Sequence, residues 1–163
     1  MTKGNSEVPK QYRRDYEAIP PSAPEAEAAL LGCCLVDPVS TMKVLKEVGF
    51  KAEYFANPEN QKIYLAILAT IRERKCLDLV LLYQYIKDRD VPLNRGCEDR
   101  LCKLAAEVPN ALHARYYCDL IHEKARNTGI MRMAGQLLKD CHRHPHEIDK
   151  HLQQVRDWLE TNP

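Results

Sequence analysis

Between Pro109 and Pro145 the chain carries no proline. Proline is the residue that most strongly stops an α-helix, because it lacks the backbone N–H and its ring clashes with the preceding turn. Over the same stretch apolar residues recur at helical spacing. Leu112, Tyr116 and Leu120 form one series, and Tyr117, Ile121, Thr128, Met131 and Leu138 another, with Gly129 and Gly135 the only helix-weakening residues. The pattern predicts one helix over about residues 112–140, roughly 40 Å long. Cys141–Pro145 reads as a turn. His146–Glu160 reads as a return helix in which Ile148, Leu152, Val155 and Leu159 follow at spacings of 4, 3 and 4, a narrow seam of the coiled-coil kind. Whatever else the chain folds into must accommodate this antiparallel helical hairpin.

Two helices alone cannot cover their own apolar stripes, since each needs more than one neighbour. A second copy of the hairpin is the simplest cover, and it would give an isologous dimer. The expected self-association interface is Met131, Leu138, Ile148, Leu152, Val155 and Leu159. The alternative cover is the remainder of the chain folded back over the hairpin.

That remainder reads as a helical head, residues 22–110, preceded by a flexible arm, residues 1–21. In the arm Pro9, Pro20 and Pro21 exclude regular helix and Lys10, Arg13 and Arg14 favour solvent. Ser22, Pro24 and Glu25 have the order of a capping box, so the first helix is expected over Glu25–Leu35, closed by Asp37-Pro38. A second helix over Val39–Val48 ends at Gly49, where a left-handed cap residue belongs. A longer one starts at Asn57-Pro58 with Ile63, Ile67 and Ile71 on one stripe. Asp78 is placed to cap a fourth, and a short helix through Leu101 and Leu104 stops before Pro109. The fold class is all-α: a compact helical head followed by a protruding antiparallel hairpin, with no strand signal and no internal repeat.

Charge and chemistry narrow the function. The 24 basic and 23 acidic side chains leave a net charge of +1, so strong direct binding to nucleic acid is not expected. Seven cysteines, an odd number with no C-x-x-C pair, and no apolar leader point to free thiols in a reducing cytoplasm. No apolar run approaches the ~20 residues needed to span a bilayer. None of the six glycines opens a G-x-x-x-x-G-K-[ST] phosphate loop. No nucleophile–base pair stands out, so no catalytic residue and no cofactor is expected. Cys141, His142, His144, His146 and His151 cluster at the turn, but their spacing fits no standard zinc site and no metal is expected. Cys33-Cys34 reads as buried helix packing rather than a redox pair, and Glu25 and Glu27 as helix-start charges.

Several blocks in fixed order resemble one family. Pro20-Pro21, Glu25-Ala26-Glu27, Leu30-Leu31-Gly32 and Asp37 come first, then Tyr54-Phe55, Lys62-Ile63-Tyr64 and Ala66-Ile67. Leu77-Asp78-Leu79-Val80 follows, then Leu104-Ala105, Val108-Pro109, Tyr116-Tyr117, Ile121 and Glu123-Lys124-Ala125. Together these are similar to the N-terminal domain of DnaB-type replicative DNA helicases over about residues 18–126. Asn60 stands where the family commonly has histidine, and Asn110 where a small hydroxyl residue is usual. The resemblance implies a non-catalytic collar domain that pairs through helical hairpins into a trimer of dimers and docks primase or another replication protein. Two other readings remain open at this point. One is a stand-alone relative that binds or caps a host replicative helicase; the other is the helicase-binding domain of a primase.

Overall fold

In the computed structural model, residues 22–74, 76–94, 96–143 and 145–161 are described. The expected arm, residues 1–21, lies outside them, as does His144. Two proline-led helices come first: α1 (Pro24–Val36) and α2 (Pro38–Glu47). Each proline sits in the first turn, where a missing N–H costs nothing. The expected capping box does not form. Ala23 holds the N-cap position without a side-chain bond, and the Glu27 amide donates to the Ala23 carbonyl at 2.9 Å. Asp37 ends α1 and starts α2, its side chain accepting from the Ser40 amide at 3.0 Å. Gly49 closes the α2 end at φ +63°, a left-handed conformation that favours glycine, while Phe50 N–H reaches back to Leu45 O at 2.9 Å.

A short 3-10 turn, Ala52–Tyr54, leads to α3 (Pro58–Arg74). Then come α4 (Leu79–Asp88), capped by the Asp78 carboxylate on Leu81 N–H at 2.8 Å, and α5 (Cys97–Glu107). The long helix α6 is Ala114–Arg143, so Cys141, His142 and Arg143 continue the helix instead of forming the expected turn. A 3-10 turn at Pro145–Glu147 precedes α7 (Ile148–Thr161). Among the described residues there is no strand.

The chain divides into two compact units, of which Ser22–Ala125 is one and the chain from Arg126 onward belongs to the other. The expected head ends at residue 110, in the loop before α6, whereas close packing in the head continues through the first turns of that helix. Ala114, Cys118 and Ile121 are buried there with Leu30, Leu31, Leu45, Ile63, Ile67, Leu82, Leu101 and Leu104. Helices α1 and α5 approach so closely that a Cβ at Gly32 would meet the Leu104 carbonyl and, at 2.6 Å, Val108 Cγ2. Only glycine fits that contact. The buried Thr41 and Thr70 hydroxyls donate to the Cys33 and Ala66 carbonyls at 3.0 and 2.8 Å, which satisfies them inside the core.

One polar assembly crosses this core. Glu27 is almost fully buried. Its carboxylate accepts from Ala56 N–H at 2.7 Å, Asn57 N–H at 3.3 Å and the Asn60 side-chain amide at 2.8 Å. The Asn60 carbonyl oxygen in turn accepts from Arg100, which also pairs with Glu59. Glu25 is an exposed helix-start charge as expected, but Glu27 is not. It holds the entry of α3 against α1, and a buried carboxylate is tolerated there because each contact satisfies it.

Candidate functional site

The segment from Arg126 onward is organised by a few contacts that fix the register of the hairpin. The indole of Trp158 lies against the backbone of Gly129, where a Cβ would meet Cη2 at 2.6 Å. Near the other end, His151 Nδ1 lies 3.6 Å from Asp140 Oδ2. Residue 129 opposite 158 and 140 opposite 151 is an antiparallel pairing. Asp140 also accepts from Gln136 Nε2 at 2.9 Å.

These contacts divide the single seam read from the sequence. On α7 the face turned to α6 is His151, Val155 and Trp158, all half-buried. Ile148, Leu152 and Leu159 remain 38%, 44% and 40% exposed. At ~100° per residue they form a second stripe roughly 80° around the helix from the first. On α6 the face toward α7 passes through Gly129 and Asp140. Ile130, 37% exposed, and half-buried Leu137 lie beside it. Since the helices are antiparallel, a rotation of the same sign on each leads to the same side of the hairpin. Ile130 and Leu137 therefore share one side with Ile148, Leu152 and Leu159. Arg132, Lys139, Lys150, Gln154 and Asp157 occupy the other, and all are exposed.

Of the six residues expected at the interface, Ile148, Leu152 and Leu159 fall together on this apolar side. Val155 is turned into the hairpin. Met131, 37% exposed, and half-buried Leu138 lie farther around α6, roughly 180° from its α7-facing side. Sequence reading missed Ile130 and Leu137. The signal that finds them is the Gly129–Trp158 pair, a notch and the chain's single tryptophan, which sets the rotation of both helices.

The head carries a concave surface. A groove of about 590 Å³ runs between the start of α1, the α5–α6 connection and the first turns of α6. Ala28, Ala29, Val108, Pro109 and Tyr117 supply apolar lining, and Glu25, Glu107 and His113 supply polar lining.

Three of the cysteines are sealed in the core of the head. Cys33, Cys34 and Cys118 are buried and free. Burial pushes the Cys118 thiol up to about 12 and the Cys33 and Cys34 thiols upward as well. Among the described residues no three His, Cys, Asp or Glu side chains converge as a metal site would require, and no helix is long and apolar enough to cross a membrane.

Comparison with known proteins decides the family. Residues 19–123 match the family described as "DnaB-like helicase N terminal domain". The chain belongs to this family. Replicative DNA helicase DnaB of Geobacillus stearothermophilus is 29% identical over 133 residues, which cover 82% of this chain and 29% of the relative. Replicative DNA helicase DnaC of Bacillus subtilis is 27% identical over 143 residues, covering 88% of this chain and 31% of the relative. The chain thus spans about a third of these helicases. The crystal structure of the N-terminal domain of DnaB helicase from Mycobacterium tuberculosis shares the fold, with a TM-score of 0.74 at 22% identity, covering 85% of this chain and 96% of that one. The matched relatives are replicative helicases. The family match covers the DnaB N-terminal domain, over residues 19–123.

Proposed function

We propose that this DnaB-type domain is a cytoplasmic assembly module of a replicative helicase, which pairs through its hairpin and docks primase or another replication protein. The observation that carries the reading is the apolar side of the hairpin. Ile130, Ile148, Leu152 and Leu159 stay more than a third exposed, while the opposite side is charged. A one-sided apolar surface on a helical pair is the pattern of an interface. A two-fold pairing of this side would bring Leu152 and its neighbours against their symmetry mates. The six-residue interface expected from sequence becomes Ile130, Leu137, Ile148, Leu152 and Leu159 at the centre, with Met131 and Leu138 toward the edge. Val155 and Trp158 support it from inside. Higher assembly into a trimer of dimers would then use head surfaces.

Sedimentation velocity over a wide concentration range tests the pairing, with a concentration-dependent dimer expected. Mixing the chain with the primase encoded in the same genome tests the docking, with a co-migrating complex expected. A chain that stays monomeric throughout, with no primase complex, would reject the assembly reading.

A further inference from the structure

The groove on the head has a charge pattern that the fold does not require. Helix α5 ends on Glu107 with no basic residue in its last turn. A carboxylate at the negative end of a helix is unfavourable, because it adds to the partial charge of the terminal carbonyls. Glu25, from the start of α1, lines the same groove. The apolar lining of Ala28, Val108 and Tyr117 lies between elements that carry these acids. Leu112 and Tyr116 adjoin it in sequence and are 82% and 63% exposed. Leu112 stands in the turn before α6 and Tyr116 in the first turn of that helix, next in sequence to the groove residues His113 and Tyr117.

We infer that this groove is a docking site for a basic amphipathic helix of a different protein, with Glu25 and Glu107 facing its Lys or Arg residues and the apolar lining taking its anchor side chains. Two carboxylates and a helix C-terminus select a cation, and a furrow between helices suits anchors at helical spacing. A second copy of this chain fits less well. Its α7 carries three acids (Asp149, Asp157, Glu160) against two bases (Lys150, Arg156), and its basic segment, α6 from Arg126 onward, is already engaged by α7 through Gly129 and Asp140. The inference deepens the docking part of the reading above by naming the chemistry of the partner, and it does not depend on hairpin pairing.

The test titrates the full chain with a synthetic Leu/Lys amphipathic helix and with its Leu/Glu counterpart of the same apolar pattern. Binding is read by fluorescence anisotropy and by amide chemical shifts. The Leu/Lys peptide is expected to bind on the order of tenfold or more tighter, with shifts at Ala28, Val108 and Tyr117. A Glu25→Lys/Glu107→Lys double variant should reverse the preference. Both residues are exposed, and circular dichroism checks the fold. A Leu152→Asp chain, assayed in parallel, should bind like wild type even where it no longer pairs, which separates failure of the groove from failure of the hairpin reading. Equal affinity for the two peptides, an unchanged preference in the double variant, or shifts confined to α7 would overturn the inference. So would absence of Leu/Lys binding.

Discussion

Replacing Leu152 by aspartate separates pairing from folding. In the single chain Leu152 is already 44% exposed, so the change removes only part of a buried side chain. The lower helix propensity of aspartate adds a few tenths of a kcal/mol, and the total cost to the hairpin should stay near ~1 kcal/mol. The dimer is affected far more. Full burial of a leucine is worth about 1.5–3 kcal/mol, so covering the exposed remainder contributes roughly 1 kcal/mol per chain, or about 2 for the pair. Placing two carboxylates at an apolar two-fold surface adds desolvation of about 1–3 kcal/mol each. The sum, about 4 kcal/mol or more, weakens the dimer on the order of a thousandfold. Sedimentation velocity should show the variant monomeric at concentrations where wild type is dimeric, and the thermal transition of the head should be retained. If the variant pairs as tightly as wild type, this side of the hairpin is not the interface.

Other outcomes follow from single contacts. Gly32→Ala should destabilise the head by about 1–3 kcal/mol, because the new methyl meets the Leu104 carbonyl and Val108; urea denaturation reads this, and a loss under 0.5 kcal/mol would mean that α5 yields. Gly129→Val should displace the indole of Trp158, shifting its fluorescence to longer wavelength and weakening pairing, while leaving head stability unchanged; unchanged emission would count against the notch. Exposed Cys76 and Cys102 should react quickly with a maleimide at pH 8, whereas Cys33, Cys34 and Cys118 should label only on unfolding, as read by mass spectrometry of the peptides. Because burial raises the Cys118 thiol to about 12, its contribution to stability is complete below the unfolded value of ~8.5 and is lost as pH rises toward 12. Stability measured from pH 8 to 11 should therefore fall, and fall less in a Cys118→Ala variant.

The order of helices was legible because proline and glycine punctuate this chain strongly. Asp37-Pro38, Asn57-Pro58 and Gly49 mark real boundaries, and the Ile63–Ile67 stripe is the buried face of α3. Capping was less legible. Ser22 satisfies the rule for a capping box but stands one residue too early, and Ala23 takes the position instead. Cys141–Arg143 extends α6 because nothing in those three residues opposes a helix; Pro145 alone forces the stop. Glu27 was misread because a carboxylate in a first helical turn already has a local explanation. Its actual partners, Ala56, Asn57 and Asn60, come from a segment about 30 residues away, and no local rule sees them. Asn60 has the same status. Where the family commonly places histidine, an amide joins a carboxylate on one side to a guanidinium on the other, a bridge that requires one donor and one acceptor on a short side chain.

The candidate interface shows the limit more sharply. A heptad-like count on α7 collects Ile148, Leu152, Val155 and Leu159 into one seam, because spacings of 3 and 4 tolerate a wide arc of the helix. An arc that wide can serve two neighbours, and sequence spacing alone does not say where one contact ends and the next begins. Trp158 and His151 decide it. Neither belongs to the aliphatic pattern, yet their contacts with Gly129 and Asp140 fix the rotation of α7, and Val155 turns inward with them. The three aliphatic residues that remain are then aligned with Ile130 and Leu137 by the antiparallel geometry. The apolar surface left over is accordingly narrower than the sequence count implies and, Met131 and Leu138 apart, gathered on one side. A surface of that form has a defined partner geometry, since two such hairpins can bury it against each other only with their charged sides facing outward.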